Sequence, residues 1–226
     1  MLFKKRIQSA DEWRSQQGWR EFEDEVKAGM DVSWRYFVGI DLGKLNDRTV
    51  ISVIESETRL GRTQTAVRAL EILPLGMSYT KQAAAIANIL SPPRYSLWPT
   101  KVFLDASGLG QPVADILKDE HELKFSRVTI TSGNGRNGLN ISRNWLINNL
   151  YKYLSAGKLL VSTDCPNAAL LRDELEAMRL EFGGDGAERY IAGGHDDAIM
   201  ATALAAAGLE RAGAIRSGAT NYWLTE

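Results

Sequence analysis

Four aspartates in this chain stand where a carboxylate can do chemistry. Asp41 closes the apolar run "YFVGID", Asp105 closes a second run, "KVFLD", and Asp196 and Asp197 stand side by side in "HDDAIMATALAAA", ahead of a long stretch of small residues. Asp47 follows Asp41 across the turn "LGKLND", and His195 directly precedes the aspartate pair. Ligands gather at strand ends in sheets built from alternating strands and helices. With the strands of Asp41 and Asp105 as neighbours, their carboxylates come close together, and a helix packed across them adds a third acid. Such a set of bare like charges is unfavourable, and a divalent cation is its natural counter-ion. Each acid also has a plain structural use: Asp41 as a turn cap, Asp105 as the cap of the next helix, and Asp196 or Asp197 as an N-cap and helix-dipole partner. Taken singly, that use is the better reading of any one of them. Their joint placement at converging element ends favours a metal site.

The elements that must bring these residues together follow from apolar periodicity. "YFVGI", "TVISVIES" and "AVRALEILPL" are three Val- and Ile-rich strands with short turn-forming connections at 42–48 and 57–65, an antiparallel meander. "SYTKQAAAIANIL" has a Ser at its start and apolar residues at helical intervals, and "SPPRY" stops that helix. "KVFLDAS" is then a strand, "QPVADILKDE" a helix with Pro near its first turn, and "FSRVTI" a strand, an alternation that implies parallel pairing. Past the polar loop "TSGNGRNGLN", Trp145, Leu146, Leu150 and Leu154 share one helical face, with Gly157 as terminator. "LLVST" is a short strand or extended connection, "PNAALLRDELEAMRLEF" a helix, and "HDDAIMATALAAAGLERAG" a last helix whose alanines permit close packing on the sheet. The expected architecture is α/β: a mixed five-stranded sheet, the meander plus parallel strands, flanked by helices. Residues 1–33 are expected to form a separate amphipathic helix or linker around Trp13, Trp19, Phe22 and Val26, with the domain at 34–213 and a tail at 214–226.

Composition narrows the setting. A chain of 226 residues with 44% hydrophobic content supports one sizeable core. The single cysteine, Cys165, cannot form an intrachain disulfide, and "MLFKKRIQSADEW" lacks the apolar run of a signal peptide, so a cytoplasmic setting is expected. No apolar stretch is long enough for a bilayer span, so no membrane role is expected. With 27 basic and 28 acidic residues, the net charge of −1 provides no global field for nucleic acid. Any attraction to DNA has to be local.

The chain resembles the nuclease domain of phage terminase large subunits, within the ribonuclease H-like superfamily that also contains RuvC resolvases. The resemblance rests on "GIDLGKLNDRTV", "VFLDASGLGQPVADIL", "ISRNWLINNLYKYLSAGKLLV" and "GGHDDAIMATALAAA", and covers about residues 36–209. It implies a divalent-metal-dependent endodeoxyribonuclease that cuts double-stranded phage DNA during packaging, inside a phage-infected or prophage-carrying bacterial cell. By position, Asp41 would bridge two Mg²⁺ or Mn²⁺ ions, with Asp105 and Asp197 completing the set and Asp196 and Asp47 as auxiliary acids. His195 is a candidate for orienting an acid or a water, and equally a helix-start residue with a structural hydrogen bond. The resemblance also implies a separate packaging ATPase, a small terminase subunit and a portal as partners, since no G-x-x-x-x-G-K-[ST] loop occurs in the chain. On that reading the chain is an excised or split nuclease domain, or a stand-alone relative.

For DNA contact the loop "SGNGRNGLNISR" offers glycines for backbone approach and Arg136 and Arg143 for phosphate neutralisation, with Lys152 and Lys158 extending the face. The competing reading is a solvated loop with Ser142 as N-cap. Three rival functions use the same residues. "GIDLG" and "LDASGLG" resemble the phosphate motifs of the actin and hexokinase superfamily, which would make the chain a nucleotide-binding phosphotransferase. That fold needs two such domains, however, and gives the "HDDA" helix no role. A RuvC-like Holliday junction resolvase would use the same metals on branched DNA. A non-catalytic assembly module would have no reason to keep the clustered acids.

Overall fold

Successive residues of the first strand meet opposite layers, and this alternation sets the architecture. In the computed structural model, which describes residues 32–43, 47–59, 62–107, 110–132, 136–182 and 188–216, β1 spans Val32–Asp41. Tyr36, Val38 and Ile40 are buried on one side, Phe37 and Gly39 on the other. Both faces of the strand are covered by packed layers. The amphipathic helix expected within residues 1–33 and the tail expected from 214 fall almost entirely outside the described residues.

β1 pairs antiparallel with β2 (Val50–Arg59), and β2 with β3 (Arg62–Ile72), which is the expected meander. Helix α1 (Tyr79–Ile89) starts where Ser78 Oγ accepts from the Lys81 N–H, and the one-turn α2 (Arg94–Leu97) follows the prolines. β4 (Thr100–Asp105) returns to pair parallel with β1. α3 (Gly110–Asp119) and β5 (Ser126–Thr131) follow, with β5 parallel to β4. These five strands are the five expected ones, and they form the centre of the sheet.

Three short strands extend it. β6 (Arg136–Asn137) and β7 (Asn140–Ser142) arise inside the segment expected to be a loop, and β8 (Leu160–Val161) pairs parallel with β3. The sheet order is β6-β7-β5-β4-β1-β2-β3-β8. Helix α4 (Arg143–Ser155) is capped by Ser142, whose Oγ accepts from the Trp145 N–H, and α5 is Ala168–Ala177. The sequence pattern extends this last helix to Phe182, but it stops at Ala177. Arg179–Phe182 is instead β9, paired antiparallel with β10 (Glu188–Ile191) in a separate two-stranded sheet. The glycines of "FGGDGAERY" favour a chain reversal there, and pairing to Tyr190 and Ile191 overrides the helix propensity of "RLEF".

Helix α6 (Asp197–Arg216) lies on the Phe37 face of the sheet with α4 and α5, while α1 and α3 cover the Tyr36 face. Its alanines, from Ala198 through Ala207, are buried with Ile199, Met200 and Leu204, as befits a helix apolar all round. Small side chains let it come close. A Cβ on Gly39 would stand 1.9 Å from the Ala201 carbonyl oxygen, so β1 and α6 touch backbone to backbone there. Among the described residues no helix is long and apolar enough to cross a membrane.

Candidate metal centre

Strand alternation decides where the first two acids point. On β1, Phe37, Gly39 and Asp41 share the face toward α6; on β4, Phe103 and Asp105 share it too. The parallel register pairs Gly39 with Phe103 and Ile40 with Leu104, so Asp41 and Asp105 follow at adjacent strand ends. Neighbouring strands lie roughly 4.8 Å apart. The close approach of α6 at Gly39 then brings its first residue, Asp197, over the same strand ends.

The electrostatics agree with this placement. Asp41 reaches the surface only in part, and burial raises its pKa well above the usual carboxylate range, with the charges of Asp105, Asp197, Asp196 and Asp47 raising it further, in that order. Asp197 is buried, and burial raises its pKa too; the Arg48 N–H and His195 pull it down, while Asp47 and Asp196 push it up. Asp105 is held by the Ser107 N–H, which donates to Oδ1 at 2.8 Å in the tight turn after β4.

The turn between β1 and β2 is clamped to this cluster. Thr49 Oγ1 accepts from the Gly43 N–H at 3.1 Å and lies 3.2 Å from the Gly43 carbonyl, which also accepts from Gln82 Nε2. A Cβ on Gly43 would overlap the Asp47 carbonyl at 2.0 Å. The Arg48 N–H donates to Asp197 Oδ2 at 3.2 Å, tying the turn to the start of α6. Asp47 Oδ1 and Asp197 Oδ2 each lie 3.8 Å from His195 Nδ1. Among the described residues, Asp47, His195 and Asp197 form the group whose ligand atoms lie within 4.8 Å of one another.

Asp196 is oriented differently. It sits just before α6, its carbonyl accepting from the Met200 N–H, and its carboxylate pairs with Arg143 Nη2. Arg143 Nη1 donates to the Tyr190 carbonyl at 2.6 Å. The guanidinium expected to meet DNA is therefore engaged at the rim of the acids, where it links α4, β10 and the start of α6. Arg136 belongs to β6 at the edge of the sheet. Lys152 is exposed nine residues along α4 from Arg143, roughly 13 Å at the helical rise. Lys158 is exposed farther on, lining a concavity of about 550 Å³ with Arg35 and Ser56, at the end of the meander away from Asp41.

One participant has no counterpart among the expected residues. Glu174 of α5 is buried, and its Oε2 accepts from the Ala198 and Ile199 N–H groups at 2.9 and 3.0 Å. Burial raises its pKa to about 7, against those two hydrogen bonds. The available signal was an acid on the apolar stripe of its helix, between Leu171 and Met178.

Comparison with known proteins fits this geometry. The family model described as the Terminase RNaseH-like domain matches residues 38–208, from within β1 to within α6. The chain belongs to the terminase RNaseH-like domain family. The large terminase subunit of Thermus phage G20c is 27% identical over 172 residues, 75% of this chain but 31% of the relative, so the chain spans about a third of that protein's length. Among solved structures, the large terminase nuclease of thermophilic phage G20c with bound magnesium superposes with a TM-score of 0.57 at 24% identity, covering 78% of this chain and 82% of that one. The large terminase nuclease domain of Thermus phage P74-26 gives 0.52 at 23% identity, covering 76% and 78%. These likenesses establish the ribonuclease H-like fold.

Proposed function

We propose that this terminase RNaseH-like domain is a divalent-metal-dependent endodeoxyribonuclease that cuts double-stranded DNA during phage genome packaging, within the infected or prophage-carrying cell. The observation that carries the reading is the convergence of Asp41, Asp105 and Asp197 from two strand ends and a helix start, with the charges of the other acids raising the pKa of Asp41. An all-oxygen donor set of this kind fits a hard cation. Two Mg²⁺ or Mn²⁺ ions would supply Lewis acidity and an activated water, so no protein nucleophile is required.

The chain's own residues do the rest. Asp41, whose pKa is raised by the charges of both Asp105 and Asp197, would hold metal together with those two carboxylates. The Ser107 and Arg48 N–H groups fix the Asp105 and Asp197 carboxylates in place. His195, more than half exposed beside Asp47 and Asp197, is placed to orient a water or take up a proton. Arg143 holds Asp196 against β10, and phosphate contact is assigned to Arg136 and Lys152, while Lys158 lies at the end of the meander away from Asp41. Translocation would come from a packaging ATPase, with small subunit and portal as further partners.

Incubation of the protein with supercoiled plasmid and Mn²⁺ or Mg²⁺ tests this. Nicked and linear DNA are expected from wild type. Asp41→Asn and Asp197→Asn are expected to lose more than the roughly 10–100-fold that an outer partner of a metal ligand is worth. Plasmid left equally intact by all three proteins would contradict the proposal, and preferential cutting of a branched junction would redirect it to junction resolution.

A further inference from the structure

We infer that Glu174 is a positioning residue for the proposed reaction: by capping α6 from a neighbouring helix it fixes Asp197 and spares the Asp197 carboxylate the capping role, leaving it to the metal site. The inference rests on the nuclease reading above. The first N–H groups of any α-helix lack partners within the helix, and a Ser, Thr, Asn or Asp just before it normally accepts from the second or third of them. Asp196 occupies that place, since its carbonyl accepts from the Met200 N–H at 2.8 Å. Yet its carboxylate is turned outward to Arg143, and that of Asp197 takes the Arg48 N–H. Neither caps the helix.

Glu174 does so instead. A single oxygen, Oε2, accepts from both Ala198 and Ile199 N–H groups, immediately after Asp197. The side chain is 7% exposed, and its other oxygen, Oε1, is buried without a hydrogen-bond partner. A carboxylate with one oxygen buried and unpaired costs stability. An ordinary N-cap at position 196 would avoid that cost, so stability alone gives no reason for the arrangement. What the arrangement does supply is a fixed helix start with neither adjoining acid spent on capping: Asp197 takes the Arg48 N–H and Asp196 pairs with Arg143. The support behind Glu174 is firm: Asn167 Nδ2, at the start of α5, donates to the Leu70 carbonyl of β3 at 2.8 Å, and Tyr151 Oη of α4 donates to the Leu175 carbonyl at 3.1 Å. Through Glu174 the start of α6 is held in register with the meander and with α4.

The test compares wild type with Glu174→Gln, Glu174→Asp and Glu174→Ala by three readouts: hydrogen exchange at the Ala198 and Ile199 amides, Mn²⁺ affinity by calorimetry, and single-turnover plasmid cleavage. Glu174→Gln keeps an oxygen at the same reach and is expected to preserve amide protection and Mn²⁺ affinity. Glu174→Asp, one methylene short, and Glu174→Ala are expected to lose protection at both amides and to weaken Mn²⁺ binding roughly 10–100-fold, the usual effect of losing a group that orients a ligand. A role confined to global stability would lower the melting temperature and leave Mn²⁺ affinity of the folded protein unchanged. That outcome, in Glu174→Asp even where Glu174→Ala does not fold, overturns the inference. Loss in Glu174→Gln equal to that in Glu174→Asp also overturns it, because charge rather than capping would then be at work. Wild type that protects both amides but neither binds Mn²⁺ nor cuts DNA overturns the nuclease reading instead.

Discussion

Asp41 carries the electrostatic cost of the site. Its pKa is raised chiefly by burial and then by four surrounding acids, so the charged form is disfavoured in the folded chain without metal. The linkage has a definite sign. A carboxyl whose folded pKa lies above its unfolded value of 3.8 contributes stability that is fully present below that value and is lost as pH rises through the folded one. Glu174 adds the same trend between 4.5 and about 7. In EDTA, Asp41→Asn is therefore expected to melt higher than wild type, by an amount that grows as pH rises above about 4. Added Mn²⁺ should reverse the order, since only wild type keeps the full set of ligands. Thermal melts of both proteins across pH, with and without metal, check this; a constant offset would show that Asp41 is not strained by its neighbours. At this scale the sequence was informative wherever an acid ended an apolar run. It was silent on Glu174, on the Arg143–Asp196 pair and on the place of Asp47 beside His195, because these depend on contacts between residues far apart in the chain. The Arg48–Asp197 hydrogen bond, for instance, joins positions 149 residues apart.

Between elements, the deciding contact is α6 against β1. A sheet and an ordinary helix with Leu on its inner face pack at a distance set by those side chains, whereas alanines and Gly39 let the backbones meet. Gly39→Ala is expected to push α6 off the strand and Asp197 away from Asp41. Overpacking of this kind costs typically about 1–3 kcal/mol. Plasmid cleavage should fall at least about tenfold in protein that is still folded by circular dichroism, and unchanged cleavage would show that the close approach is not what sets the site. The element order was legible because strand and helix periods differ and the turns are marked by Gly, Pro, Asp and Asn. The exception, β9 and β10, shows the limit. "RLEF" continues a helical pattern locally and becomes a strand only because "ERYI" pairs with it, where Asn144 Oδ1 accepts from the Tyr190 N–H and Tyr151 stacks on the Tyr190 ring.

Taken as a whole, the molecule brings Asp41, Asp105 and Asp197 to one end of the central sheet, where β1, β4 and the start of α6 meet. The opposite end of the meander holds the Arg35 and Lys158 concavity instead. A net charge of −1 gives no global pull on DNA, so any attraction to phosphates has to come from local cations and from the metal itself. The central account is that two strands and one helix bring Asp41, Asp105 and Asp197 together to hold divalent metal. The most direct measurement is anomalous diffraction from a crystal soaked in Mn²⁺. The account predicts density bound by the Asp41, Asp105 and Asp197 carboxylates, and absent from Asp41→Asn. Manganese confined to Asp47 and His195, with the Asp41 carboxylate out of reach, would contradict it.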